Sequence, residues 1–227
     1  NDYFVLPKLS ALFKINPKVT SRIGGGLGYK TPTVFNEKAE EQVFKNVKPI
    51  NFNNVKAERS YGANADINYR TSFADEWTFS INQMVFYTFL NKPLVFNKDS
   101  LANNIYSFEN ANGHIDAYGT ETNIKIGRGW FKAYLGYTYV MAQTHYDGAS
   151  MQVPLTANNR VNFTLLVEKE KKFRIAFEAF YVSPQQLIIG LQEYRQKKNG
   201  NILVCSLMSK TIPIPAKPDL AQYTQAQ

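Results

Sequence analysis

Apolar residues recur at every second position in segment after segment of this chain, the spacing that gives a β-strand one apolar and one polar face. The first segment runs from Phe4 to Ile15, with Val5, Leu9, Ala11, Phe13 and Ile15 against Lys8, Ser10 and Lys14. After a turn at Asn16-Pro17-Lys18, the second extends from Thr20 to Lys30. Ile23, Gly25, Leu27 and Tyr29 share one side of it; Arg22, Gly24, Gly26, Gly28 and Lys30 share the other. The third is the cleanest, with Tyr61, Ala63, Ala65, Ile67 and Tyr69 alternating with Ser60, Gly62, Asn64, Asp66, Asn68 and Arg70. In the fourth, Trp77, Phe79, Ile81, Val85, Tyr87 and Phe89 oppose Thr78, Ser80, Asn82 and Thr88.

Four more follow. Tyr118, Thr120, Thr122, Ile124 and Ile126 close the fifth, and Gly127-Arg128-Gly129 turns it into a sixth that carries Phe131, Ala133, Leu135, Tyr137, Tyr139 and Met141. Val161, Phe163, Leu165 and Val167 mark the seventh; Phe173, Ile175, Phe177, Ala179 and Tyr181 mark the eighth. Connections alternate between short and long, so all short turns fall at one end and the long loops (Thr31 to Asn54, Asn97 to Asn104, Thr144 to Asn159) at the other. Charges stand in mid-strand on the polar side: Arg22, Asp66, Glu121, Lys132, Arg174 and Glu178. Aromatics gather at strand ends, as at Trp77, Trp130, Tyr69 and Tyr87.

A soluble or surface-exposed β-sandwich binding module explains the alternation alone, with the apolar side as its core. An antiparallel up-and-down transmembrane β-barrel explains more: the polar lumen face, the strand lengths, the loop asymmetry and interfacial aromatic girdles together. The chain is therefore expected to be all-β, about eight strands of a larger barrel. Closure of eight strands into a barrel of their own would force these charged faces into a narrow interior, and is not expected.

Composition sharpens this only a little. Aromatics reach 14% over 227 residues, a bias toward strands. No apolar run approaches the roughly 18 residues of a membrane helix, a criterion blind to barrels. The net charge of +8 comes from Lys and Arg scattered through strands and turns, the pattern of solvated charge and not of a nucleic-acid surface. Cys205 is the single cysteine, which excludes an internal disulfide or a thiolate cluster. The chain opens at Asn1 with no Met and no charged-then-apolar leader, so targeting information is expected to be absent, removed or upstream of a fragment.

The second segment and the loop after it, S-R-I-G-G-G-L-G-Y-K-T-P-T-V-F-N-E (Ser21 to Glu37), resemble the barrel signature of TonB-dependent outer-membrane receptors, closest to those of Bacteroidetes-like bacteria. The resemblance continues through A-E-R-S-Y-G-A-N-A-D-I-N-Y-R (Ala57 to Arg70) and I-N-Q-M-V-F-Y-T (Ile81 to Thr88). It goes on with F-E-N-A-N-G-H-I-D-A-Y-G-T-E (Phe108 to Glu121) and L-G-Y-T-Y (Leu135 to Tyr139). Each motif is weak alone; their order and spacing carry the likeness. It implies late strands of a roughly 22-stranded barrel in a bacterial outer membrane, spanning residues 1–187. A plug domain, a TonB-contacting segment and the early strands would lie outside this chain. It further implies import of a scarce nutrient, an iron–siderophore complex first, driven by the TonB complex acting through the plug, with lipid around the wall. No enzyme activity, cofactor or nucleic-acid partner is implied, and ligand-binding residues are not legible.

From residue 188 to 227 the alternation collapses, and Pro213, Pro215 and Pro218 exclude a paired strand where they stand. The tail is expected to be irregular, and it reads as an out-of-frame translation. Back-translated from Lys198 and read one base earlier, its codons permit K-K-W-K-Y-F-S-L-F-V-N-V-E-N-Y-T-D-T-R-Q, an alternating strand followed by the E-N-x-x-D-x-R-Q segment of such receptors.

Catalytic and ligating chemistry is sparse. Gly24 to Gly28 match neither dinucleotide nor phosphate-loop spacing and read as inward glycines beside a plug. His114 and His145 are the only histidines; each falls alone near a loop, where a solvated side chain is expected over a metal ligand or catalytic base. Asp75-Glu76 serves a turn, and the sequon at Asn162-Phe163-Thr164 is mid-strand.

Overall fold

All eight segments read from the alternation are strands in the computed structural model of the chain, which describes residues 5–33, 45–74, 76–98, 105–169, 172–189, 195–198 and 200–211. They are β1 (Lys8–Asn16), β2 (Val19–Lys30), β3 (Glu58–Phe73), β4 (Trp77–Asn91), β7 (Gly113–Arg128), β8 (Phe131–Tyr146), β10 (Asn159–Lys169) and β11 (Phe173–Val182). Six further strands are β5 (Leu94–Lys98), β6 (Tyr106–Asn110), β9 (Ala149–Gln152), β12 (Gln186–Ile189), β13 (Arg195–Lys198) and β14 (Ile202–Thr211). Among the described residues there is no helix long and apolar enough to cross a membrane, a test that does not bear on barrels.

One antiparallel sheet dominates, in the order β1-β2-β3-β4-β7-β8-β10-β11-β14, with β9 added to β8. Neighbours in the sheet are neighbours in the chain, apart from small excursions at one end. There β5 pairs with β6 and β12 with β13, each as a separate two-stranded sheet. Short connections (residues 17–18, 74–76, 129–130 and 170–172) lie opposite long ones (31–57, 92–112, 147–158 and 183–201). Local chemistry shapes the first turn: Asn16 Oδ1 accepts hydrogen bonds from the backbone N–H groups of Lys18 and Val19, both at 2.8 Å.

Register carries the two faces across the sheet from strand to strand. Arg22, Asp66, Met84, Glu121, Thr138 and Arg160 form one row of cross-strand partners on the polar face. Tyr69, Ile81, Ile124, Leu135, Phe163 and Ala179 form a row on the apolar face. No second sheet packs on that apolar face among the described residues: Val85 is 53% exposed, Ile67 49% and Leu135 40%. The β-sandwich reading fails here, because its core would be this face. The sheet is not closed either, since β1 pairs only with β2 and β14 only with β11.

Polar exceptions on the apolar face satisfy one another. Thr122 Oγ1 donates to Gln83 Oε1 at 2.6 Å, Gln83 Nε2 donates to Thr120, and Thr120 Oγ1 donates to the Met84 carbonyl at 2.9 Å. An unpaired polar group costs several kcal/mol wherever it is kept from water.

The tail departs from the irregular stretch expected of it. β14 pairs with β11 over its length, Leu203 opposite Tyr181 and Leu207 opposite Phe177. The prolines that argued against a strand come after it, outside the described residues. The open edge of β11, met by the β-prone run I-L-V-C, is enough to recruit a partner. Yet β14 obeys no two-faced pattern: Val204 and Met208 share the polar side with Ser206, and Lys210 falls opposite Arg174. The neighbouring reading frame places serine, phenylalanine, asparagine and glutamate on that side, at 204, 206, 208 and 210, with the glutamate opposite Arg174. Sequencing the encoding DNA is expected to yield codons that spell this string one base earlier; codons incompatible with it would refute the shift.

Candidate functional site

The sheet's polar face is the first candidate surface. Asn68 and Arg70 of β3, Ser80 and Asn82 of β4, Glu121, Asn123 and Lys125 of β7, and Tyr134 of β8 line a shallow recess of about 300 Å³. Alternation brings them together, since every one lies on the polar side of its strand. Asn123 Nδ2 donates to Glu121 Oε1 at 2.6 Å, and the Tyr134 hydroxyl donates to Asn123 Oδ1. Lys125 Nζ stands 5.6 Å from the centre of the Tyr134 ring. Side chains lean over glycines beside this recess. A Cβ on Gly136 would lie 2.2 Å from Asn162 Oδ1, and one on Gly119 would lie 2.7 Å from the Phe86 ring. The face offers donors and acceptors of both signs, suited to hydrated polar surfaces, with no assembled nucleophile or general base.

The second surface is the long-loop end. There the buried aromatics Phe96, Tyr106 and Phe108 of the β5–β6 hairpin form a small core, packed by Val47, Ile50 and Leu94. Phe96 stacks on Tyr106 with ring centres 5.1 Å apart and meets Phe108 at the same distance. The preceding long connection is tied on by backbone bonds at 2.8 Å, Lys48 N to the Tyr106 carbonyl and Tyr106 N to the Asn46 carbonyl. Buried Glu58, at the start of β3, accepts the Leu94 N–H at 2.5 Å. Burial, and then the Glu58 carboxylate, push the Tyr146 phenol from 10.0 up to about 12, so it stays protonated and available as a donor.

Of the three long loops expected to bind ligand, the structure thus organises parts of all three. Val47 and Ile50 pack on the hairpin core, Asn97 is a β5 residue, and Thr144 to Asn159 supplies the end of β8, all of β9 and the first residue of β10. Residues 34–44 and 99–104 lie outside the described residues. The sequence pattern hid this core because its aromatics sit in strands of five residues, too short for alternation to stand out.

A third group comes together that sequence spacing had left apart. β7 and β8 extend beyond their expected starts and ends, and their register sets His114 directly across from His145. The two imidazoles stack at 4.7 Å, and Phe89 stacks on the other side of His114 at 4.7 Å. His145 Nε2 meets Asp116 Oδ1 at 2.7 Å, while its Nδ1 meets Ser150 Oγ of β9 at 2.7 Å. Neither histidine is a lone loop residue. One donor atom from each of His114, Asp116 and His145 falls within 4.8 Å of the others. Cys205, by contrast, is exposed on β14 with no ligating partner among the described residues.

No protein-family model matches the chain, and no curated protein sequence does. Solved structures do. The FrpB iron transporter from Neisseria meningitidis superposes with a TM-score of 0.69 at 14% identity, over 92% of this chain and 32% of its own. The ferric enterobactin receptor PfeA from Pseudomonas aeruginosa gives 0.65 at 14% identity, over 90% of this chain and 32% of that one. The copper transporter OprC gives 0.63 at 15% identity, over 89% and 30%. This chain therefore spans about a third of the length of the structures it matches. The open sheet has the fold of part of a TonB-dependent receptor β-barrel, as its motifs led one to expect.

Proposed function

We propose that this sheet is part of the wall of an outer-membrane active transporter that imports a scarce nutrient, an iron–siderophore complex before other metal chelates, cobalamin or glycans. The observation that carries the proposal is the uncovered apolar face on a sheet with the barrel fold. Its height supports a membrane setting. Trp77 and Tyr87 bound the apolar run of β4 and lie ten residues apart. At about 3.4 Å per residue and a tilt near 40°, that run rises about 26 Å, close to the roughly 25 Å apolar band of such barrels.

Aromatics gather at both limits. Phe73, Trp77, Phe131 and Trp130 pack in a chain at the short-turn end, and Tyr61 and Phe89 pack 6.2 Å apart near the long loops. Amphipathic rings prefer that depth on both sides of a bilayer. The polar face then lines the lumen, and the long loops form the extracellular mouth. Glycines on β2's polar side leave space for a plug. Energy would reach that plug from the TonB complex. The solved neighbours support transport in general and split between iron and copper by their names, so the ligand rests on the family likeness.

The test is uptake by cells that carry the whole protein, compared with cells lacking it, under iron limitation. Radio-iron bound to a siderophore is expected to enter only when the protein is present, and to stop when a protonophore collapses the energy supply. Equal uptake with and without the protein would refute the iron–siderophore reading. The sheet alone is expected to import nothing, because β1 and β14 would expose two unpaired edges to lipid. Import by residues 1–227 alone would contradict that.

A further inference from the structure

We infer that His114, Asp116 and His145 form a binding site for a borderline divalent cation of the zinc class, on the outer rim of the wall. The inference rests on the strand register and not on the transport reading. His114 and Asp116 are two apart on β7, which puts them on one face, and His145 lies on the same face of β8 opposite His114. That face is the apolar one: Tyr118, four residues further along β7, carries the same parity and is 44% exposed. Four residues of tilted strand rise roughly 10 Å, so His114 stands on the loop side of Tyr118, and Asp116 is level with Phe89 at the aromatic limit. It points away from the lumen and from the path of any imported ligand.

The donor set selects the metal. Two imidazoles and one carboxylate suit Zn²⁺, Cu²⁺ or Ni²⁺, whereas Ca²⁺ and Mg²⁺ take oxygen ligands. Three protein ligands leave a fourth position open, directed outward to water or to an anionic group. Ser150 supplies the supporting hydrogen bond: with Nδ1–H donating to its Oγ, the Nε2 lone pair of His145 is free to bind metal. In this structure Nε2 and Asp116 Oδ1 stand 2.7 Å apart. A metal held between them would widen the contact to about 3.3 Å, the edge of a tetrahedron with bonds of 2.0–2.1 Å. His114 turns about χ2, a broad torsion, to bring a ring nitrogen out of its stack with His145. In the bound state the metal staples β7 to β8 just below the turn that carries β9.

The test uses the whole protein in detergent, stripped by chelator and titrated with Zn²⁺ against a chromophoric competitor, then with Co²⁺ as a spectroscopic substitute. One zinc is expected to depend on this triad, with the visible Co²⁺ bands of a four-coordinate site. His114→Ala, Asp116→Asn and His145→Gln should each weaken that zinc at least tenfold, Ser150→Ala about tenfold, and Asp147→Asn not at all. A second measurement needs no variant: zinc should protect His114 and His145 together from diethylpyrocarbonate, read by peptide mapping. Equal modification of both histidines with and without zinc would overturn the site. So would zinc affinity and Co²⁺ bands that are unchanged in all three ligand variants, which would mean adventitious binding only.

Discussion

Leu135→Arg is expected to abolish assembly of the wall, while Thr164→Arg on the opposite face is tolerated. Leu135 lies midway along the apolar run of β8 that begins at Phe131 and reaches Tyr139. Its row neighbours are Ile124 and Phe163, and the carboxylate that β7 carries on that side, Asp116, lies eight residues along the strand from Ile124. An arginine at the middle of the apolar band costs about 2–4 kcal/mol. Each 1.4 kcal/mol is a factor of ten, so the folding equilibrium constant falls roughly thirty- to several-hundred-fold. Thr164 is a row neighbour of Tyr134 on one side and Glu178 on the other, so a guanidinium there meets an aromatic face and a carboxylate. Its stability should stay within about 0.5 kcal/mol. Membrane-fraction abundance and urea unfolding in lipid would read both variants of the whole protein. Equal tolerance of the two would mean that the apolar face does not meet lipid.

That contrast depends on parity alone, which is why so much of the wall was legible in the sequence. A period of two needs no tertiary information: Tyr61 to Tyr69 or Phe131 to Met141 state which side is which, and pairing in chain order follows from short turns. The long-loop end obeys no such rule. Phe96, Tyr106 and Phe108 converge through a hairpin whose register with residues 46–48 is fixed by backbone hydrogen bonds, which leave no mark in side-chain pattern. His114 and His145 were invisible as a pair for a related reason. They are 31 positions apart in the numbering, and only the pairing of β7 with β8 through to Gly113 and Tyr146 makes them neighbours. The ends of strands, where alternation fades into loop composition, are where sequence reading stops short and where these side chains gather. β14 errs the other way: prolines beyond residue 211 argued against a strand that lies wholly before them.

Phe108→Ala is expected to loosen the mouth and leave the wall standing. Phe108 is buried, with Phe96 against it and Tyr106 beyond. Truncating a buried phenylalanine costs about 3–5 kcal/mol, through lost transfer energy and the cavity left behind. In a single cooperative core that loss would spread through the domain. Here β5 and β6 pair only with each other and with residue 47, outside the main sheet, so the opening stays local. The bonds from Lys48 and to Asn46 lose their anchor with the hairpin, and residues 45–57 and 92–112 should become protease-sensitive together. Urea unfolding of the wall should remain near that of the parent, the reverse of the pattern expected for Leu135→Arg. If the loops form the ligand's first contact, import falls by at least tenfold while the protein remains in the membrane fraction at normal abundance. Unchanged cleavage in both segments would show that the aromatic cluster does not hold the mouth. A matching collapse of the wall would show that mouth and wall are one cooperative unit, contrary to the separate sheets seen here.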